Sequence, residues 1–399
     1  MEFRHPVGPG HEASQDPARF DVCIRGEGPV GRALALALSR QGLRVALCGL
    51  APVQPPGPAA AVNPDVRAYA LNAASVALLR GLKVWDALPV DARTPVHDMR
   101  VEGDEADAVL HFSAWEQTVD ELAWIVDAAE LDLALARAVD FSPHVERVAQ
   151  EVPAALRVLA EGKDSSARDA LGVRSQRHDY LHSGVAARLE GDIGHAHTAR
   201  QWFHSPEVLA LLPFDRPQPQ RSWGLVWSVP AARANELLAL PDAAFEAALA
   251  QATGGAAGAL RLRSPRVAWP LRMAQAERLC GPGWVLVGDA AHVVHPLAGQ
   301  GLNLGLADVA SLAGVLAARE AWRPLGDEVL LRRHVRQRHL PTRAMAGLTD
   351  GLWHLFASQA APARVLRNRG LWLLDRAAPL KKALAAQAFG GAGASRDRT

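Results

Sequence analysis

Cysteine is scarce. Cys23, Cys48 and Cys280 are the three in 399 residues, and they form no CxxC pair. That argues against a disulfide framework and suits a reducing compartment. An excess of one charge is lacking too: Lys and Arg number 43, Asp and Glu 42, for a net charge of +1. No overall field therefore draws the chain to nucleic acid or anionic lipid. No uncharged run reaches the ~20 residues of a spanning helix. Residues 1–19 lack the apolar centre of a signal peptide and read as a disordered leader. There is no internal repeat, no catalytic triad and no carboxylate pair in a convincing arrangement. What is present is globular, at 49% hydrophobic and 21% charged. The length suffices for two interleaved domains and a tail.

The chain is organised around residues 284–305, WVLVGDAAHVVHPLAGQGLNLG. Trp284 to Val287 is a short apolar run, the pattern of a buried strand. Gly288-Asp289 stops it, and Pro296, Gly299, Gly301 and Gly305 follow closely. Glycine is kept where backbone must come close to something or take positive φ. A carboxylate at a strand's C-terminal end suits a sugar-type hydroxyl, and Gly-rich amides before a helix suit an electron-rich oxygen. His292 and His295 stand three apart, but no third ligand is spaced nearby, so a metal is not expected.

Near the N-terminus, Phe20 to Arg25 reads as a buried strand running into Gly26-Glu27-Gly28-Pro29-Val30-Gly31. A helix pattern from Arg32 to about Gln41 follows, closed by Gly42, and Leu43 to Leu47 reads as a second strand. A GxGxxG in this strand–helix–strand context points to a dinucleotide-binding fold. Gly26 allows the tight turn, Gly28 admits a pyrophosphate, and Gly31 lets helix and strand pack. A ribose-binding Asp or Glu is expected ~20 residues on, at the end of the second strand, and none stands there. Residues 51–64 form a Pro/Ala-rich linker, read as mobile.

With these residues in view, GDAAHVVHPLAGQGLNLGLAD resembles the third flavin motif of FAD-dependent aromatic hydroxylases with the para-hydroxybenzoate hydroxylase fold. Within them it is most similar to the ubiquinone-biosynthesis hydroxylases, which act on polyprenylated phenols. RAYALNAAS from Arg67 to Ser75 is similar to a family segment whose arginine approaches the flavin. The stretch from Ala160 to Gly172 looks like the second flavin motif, with Glu161 for aspartate. Asp127-Ala128 stand where the family commonly has Glu-Asn.

The resemblance implies an α/β fold: a Rossmann-like FAD-binding domain interleaved with a mostly antiparallel substrate sheet, plus C-terminal helices. The expected division is 1–19 leader; 20–95, 123–175 and 266–325 FAD-binding; 96–122 and 176–265 substrate; 326–399 helical. It implies FAD as cofactor and NAD(P)H as a transient reductant, consistent with the lack of a second dinucleotide fold. Gly26, Gly28, Gly31, Arg67, Gly288, Asp289, Gly299, Gly301, Leu302 and Asn303 are the expected cofactor-binding residues. Asp289 would hold the ribityl chain, and amides of residues 301–303 would meet the flavin pyrimidine edge. Pro296 would face the reacting side of the ring, without acid or base duty. Trp202, Leu212, Pro213 and Trp227 are expected to line the substrate pocket.

The implied activity is hydroxylation of a hydrophobic phenol, a ubiquinone precursor, with NAD(P)H and O2. The expected setting is cytoplasmic or peripheral at the inner membrane surface, near other quinone-biosynthesis proteins. Trp353, Leu355, Phe356, Leu371, Trp372 and Leu374 are the large apolar residues of the C-terminal region that would meet membrane or polyprenyl chain, or simply pack as a cap. Gly49, Glu27, Ala128 and Glu161 all depart from the family at the cofactor site. They leave open an alternative: a relative with weak or no FAD binding that serves as an accessory or structural protein. A flavoprotein acting on a different small aromatic is a third reading.

Overall fold

A computed structural model describes residues 19–49, 65–103, 105, 108–294, 300–357 and 381. Pro296 and Gly299 lie outside these, as do the leader before residue 19, the linker 51–64 and the apolar residues Leu371, Trp372 and Leu374; the side chains of Trp353, Leu355 and Phe356 are likewise outside the description.

The strand Phe20–Arg25 forms as the apolar run predicts, with Val22 and Ile24 wholly buried. The helix after the glycine loop is Pro29–Ser39, with Pro29 in its first turn, where a missing N–H costs nothing. The next strand is Val45–Cys48, two residues later than expected at its start. Two further strands, Val145–Val148 and Ala154–Leu159, come from a short Ala/Val-rich interval with no strand signal of its own. They complete a six-stranded sheet with Trp284–Leu286 and Cys280–Gly281. Phe20–Arg25 is central, paired in parallel with Val45–Cys48 and with Ala154–Leu159. The helices Pro29–Ser39, Ala128–Asp140 and Gly301–Ala317 pack together over it. Leu34, Leu38, Leu47, Val158 and Leu312 are fully buried in that layer. Each such side chain contributes about 1.5–3 kcal/mol through burial.

The second half of the chain builds a nine-stranded sheet around Ser175–Gly191, Glu207–Phe214 and Ser222–Pro230. It is antiparallel apart from the Thr198–His204 pairing with Asp98–Glu102. Strand alternation gives it two apolar faces. One, with Leu189, Leu211, Leu225 and Trp227, lies under Ala231–Ala239 and Asp242–Ala252. The other, with Ala199 and Phe214, meets Ile125 of a three-stranded sheet made by Ala68–Leu71, Ala123–Asp127 and Arg93–Val96. This small sheet is the junction between the two large ones, and the candidate site is built along it.

Candidate cofactor and substrate site

Gly26 closes the first strand with φ +115°, and its N–H donates to Cys48 O at 2.9 Å. A Cβ there would stand 2.2 Å from the Ala160 carbonyl oxygen, and one on Gly31 would stand 1.9 Å from that of Gly26. Only glycine fits either position. Gly28 differs, because a Cβ added there meets nothing within 4 Å. It N-caps Pro29–Ser39 with no side-chain cap. The first-turn amides thus have no intrahelical partner and face a cradle open to an anionic oxygen. Glu27 does not intrude on that cradle. Its carboxylate turns to Arg147 Nε, 3.3 Å away on the neighbouring strand.

The glycine-rich stretch after Trp284–Leu286 begins with a single 3-10 turn, Gly288–Ala290, and a two-residue strand, His292–Val293. Gly288 has φ +60°, and its N–H donates to Asp308 Oδ2 at 2.9 Å. The same oxygen meets His292 Nε2 at 2.7 Å, while Arg338 Nε donates to Oδ1 at 2.7 Å. Burial pushes the Asp308 carboxyl up, but His292 and Arg338 outweigh it and hold it at about 2. Burial likewise pushes His292 down, and Asp308 more than reverses this, so its pKa is raised. This buried trio fixes the turn that presents Asp289. The sequence reading did not find it. Asp308 ends the quoted motif and could have been noticed; Arg338, thirty residues on, carries no sequence signal.

Asp289 is solvent-exposed and has no hydrogen-bond partner among the described residues. Desolvation by surrounding protein nevertheless raises its pKa, against the opposing charges of His292 and Lys163. The helix Gly301–Ala317 starts at Gln300 with no side-chain cap and no acidic residue in its first turn, which leaves its first-turn amides without intrahelical partners. The side chain of Asn303 is used otherwise. Its oxygen accepts from Asn72 N at 3.0 Å and Ser75 Oγ at 2.7 Å, and its amide nitrogen donates to Ala70 O at 2.8 Å. It therefore staples the Arg67–Ser75 segment to the later motif. The first and third motifs interlock as well, because Val30 lies against both Gly288 and Gly305.

Arg67 is gripped by Asp65, with Nη2 to Oδ2 at 2.7 Å and Nε to Oδ1 at 2.9 Å, and that bonding raises its pKa. Its guanidinium lies 5.9 Å from the Tyr69 ring centroid. Burial pushes the Tyr69 phenol up to about 12, with Arg67 opposing and Asp132, Asp65 and Asp289 adding. Arg67 and Asp289 thus both act on the Tyr69 phenol, one from each motif.

The remaining departures are absorbed by the protein. Glu161 is buried; it accepts from Ser165 Oγ and from Ala167 N at 3.0 Å, and pairs with Arg25 Nη2 at 2.8 Å. It anchors the start of Ser166–Ala170. Asp127 N-caps Ala128–Asp140 through the amides of Ala129 and Glu130. Gly49, just past the second strand, has no side chain to offer.

The substrate-pocket expectation needs correction. Trp202 and Trp227 are 2% exposed in the core beneath the two helices, on the face of the sheet away from the junction. Their indole N–H groups donate to Glu102 and Glu207 at 3.1 and 2.9 Å. A large indole with one polar atom fills a core well once that atom is paired. Pro213 is buried and alternates onto that same side of its strand. Leu212 faces the other way, packing with Ala68, Ala70 and Phe214 beside Arg67. Gly224 joins it, since a Cβ there would sit 3.5 Å from Ala68. Strand alternation, applied to the sequence, separates Leu212 from Pro213; it could not say which face meets the cofactor.

Residues 137–347 match the FAD binding domain family. The chain is 31% identical to 3-demethoxyubiquinol 3-hydroxylase of Escherichia coli strain K12, over 93% of this chain and 98% of that protein. It is 31% identical to ubiquinone hydroxylase UbiL of Rhodospirillum rubrum, over 93% and 89%. Among solved structures, PqsL, a probable FAD-dependent monooxygenase from Pseudomonas aeruginosa, superposes with TM-score 0.71 at 22% identity, covering 88% of this chain and 99% of that one. p-Nitrophenol 4-monooxygenase PnpA from Pseudomonas putida gives TM-score 0.71 at 17% identity, over 93% and 98%. These two show likeness of fold.

Proposed function

Because the chain belongs to the FAD-dependent aromatic monooxygenases, among the ubiquinone-biosynthesis hydroxylases, we propose that it hydroxylates a hydrophobic phenol, a polyprenylated ubiquinone precursor, with NAD(P)H and O2. One observation carries the reading. Two uncapped helix starts, at Gly28 and Gln300, flank the turn that presents the unpaired Asp289. This donor–acceptor–donor set fits a phosphate, a ribityl chain and a flavin edge in that order.

Bound flavin supplies the activation of O2 and the oxygen transfer to the ring. The protein's share is binding, orientation and exclusion of water. In this proposal Gly26, Gly28 and Gly31 receive the pyrophosphate, Asp289 the ribityl hydroxyls, and the amides of Gly301, Leu302 and Asn303 the pyrimidine edge. Arg67 contacts the flavin from the small junction sheet. Leu212, rather than Trp202 or Trp227, touches the phenol. Pro296 and Gly299 keep their proposed places at the reacting face and the glycine-rich turn. NAD(P)H binds transiently. The domain division given above belongs to the same proposal.

No helix among the described residues is long and apolar enough to cross a membrane. A cytoplasmic setting, peripheral contact at the membrane surface through the C-terminal region and association with other quinone-biosynthesis proteins complete the reading. Flotation with anionic and zwitterionic vesicles tests the contact.

The accessory reading keeps two specific supports, the missing carboxylate at Gly49 and the apolar Ala128; Glu27 and Glu161 no longer count for it, since both are paired within the protein. The visible spectrum of the purified chain, alone and after FAD addition and gel filtration, decides. Bound oxidised flavin that bleaches with NAD(P)H, faster with a prenylated phenol, is the expected result. A colourless protein that releases added FAD would shift the reading to the accessory role.

A further inference from the structure

Arg188 lies in Ser175–Gly191, between Ala187 and Leu189, which belong to the helix-covered core. Its own side chain therefore crosses to the opposite face, toward the junction sheet. There the guanidinium lies 3.8 Å from the Phe214 ring centroid. Nη2 donates to the carbonyl oxygen of Arg67 at 2.8 Å and to Asp127 Oδ2 at 3.1 Å. Nη1 is buried and has no hydrogen-bond partner among the described residues. Gly224, Leu212 and Ala68 meet beside it.

Stability is a poor explanation for this arrangement. A buried ion pair repays its desolvation only when its hydrogen bonds are complete, and an unpaired guanidinium N–H is a net cost. An unbranched apolar side chain would fill the same space beside Phe214 and Leu212 at least as well. The arginine does achieve one thing that an apolar residue cannot: a hydrogen bond from the sheet that carries Leu212 to the backbone of Arg67. Arg67 is in turn oriented by Asp65, and Asp127 is shared between Arg188 and the start of Ala128–Asp140.

We infer that Arg188 is a positioning residue, joining the substrate sheet to Arg67 so that the flavin-facing arginine is held in register with a phenol seated on that sheet. The inference rests on the hydroxylase reading. When register is lost, NAD(P)H and O2 react without the phenol: the nicotinamide is oxidised by two electrons, and O2 takes those electrons with two protons and leaves as H2O2. Arg188 thereby governs how much of the reductant ends in product.

The test compares wild type, Arg188→Met and Arg188→Lys as full-length, FAD-loaded proteins with a short-chain prenylated phenol. Three quantities are read: H2O2 formed per NAD(P)H, the change in the bound-flavin spectrum when phenol is added, and thermal midpoint. Arg188→Met should keep its FAD with little fall in midpoint, because Asp127 retains its bonds from the Ala129 and Glu130 amides; it should lose the phenol-induced spectral change and release roughly tenfold more H2O2 per product, the scale of one charge-assisted hydrogen bond. Lysine, which can reach one of the two acceptors, should recover part of the loss. Arg188→Met that couples like wild type overturns the inference, as does uncoupling that merely tracks a fallen midpoint. If Arg188→Met does not fold, Asp127→Asn, whose side chain can still cap the helix, must show the same uncoupling. A wild type that holds no FAD sinks the hydroxylase reading and this inference together, whereas a coupled Arg188→Met sinks only the latter.

Discussion

Gly305, in the helix Gly301–Ala317, lies so close to Val30 that a Cβ on it would stand 2.5 Å from Val30 Cγ2. Val30 belongs to the first turn after the glycine loop, so two motifs separated by most of the chain share one contact. Val30 is β-branched and stiff about χ1, and cannot swing aside cheaply.

Gly305→Ala should therefore push Val30 and the phosphate-binding turn out of place. Overpacking of this kind costs about 1–3 kcal/mol. FAD retained after gel filtration should fall more steeply than the thermal midpoint. Unchanged retention would show that the loop tolerates the shift.

Gly49→Glu should strengthen cofactor binding by restoring an acceptor past the second strand. A charge-assisted hydrogen bond is worth about 1.5–3 kcal/mol, or ~10–100-fold in the FAD dissociation constant. Titration of apoprotein by flavin fluorescence measures it. No gain would mean that the adenosine end lies elsewhere.

Asp308→Asn leaves His292 and Arg338 buried without their counter-charge. Breaking a buried pair on one side costs about 3–5 kcal/mol. Denaturant melts at pH 7 should show that loss, and unchanged stability would mean that the trio does not hold the turn.

His334 gives a pH signature. Burial holds its pKa down to about 4, and its Nδ1 is 2.9 Å from Ser311 Oγ. Its unfolded pKa is about 6.5. A depressed pKa means full stabilisation above about 6.5, lost as pH falls towards 4, by up to ~3 kcal/mol. His334→Gln should flatten the stability curve between those limits. A slope unchanged by the substitution would assign the acid lability to other groups.

Leu212→Ala should raise KM for the phenol with little change in melting temperature, because Leu212 is only half-buried on the junction face. Trp202→Ala should instead cost about 3–5 kcal/mol of stability, as core aromatics do. The reverse pattern would restore Trp202 to the pocket.

Much of this molecule could be read locally. Phe20–Arg25, the glycine loop, its helix and the strand at Trp284 are contiguous in sequence, and their constraints act within a few residues. The steric reason for each loop glycine is the same in any strand–turn–helix unit. Glu27 and Glu161 misled for the opposite reason. Their partners, Arg147 and Arg25, lie more than a hundred residues away, so the sequence displayed two bare carboxylates where the fold has neutralised both. The missed strands Val145–Val148 and Ala154–Leu159 exist because parallel neighbours offer them hydrogen bonds, not because their own pattern demands it.

By itself, then, the sequence determined the strand–helix–strand unit and its glycine loop, since turn chemistry and strand–helix patterning are short-range, and its resemblance to the flavin hydroxylases supplied the fold class and the cofactor. Tertiary structure alone decided which face of the large sheet packs on the junction sheet. It sent Trp202 and Trp227 to the core and Leu212 to the junction, and it brought Arg338 to Asp308 and Arg188 to Arg67. Strand periodicity is blind to which side is inside, and a buried charge finds its partner through space rather than along the chain.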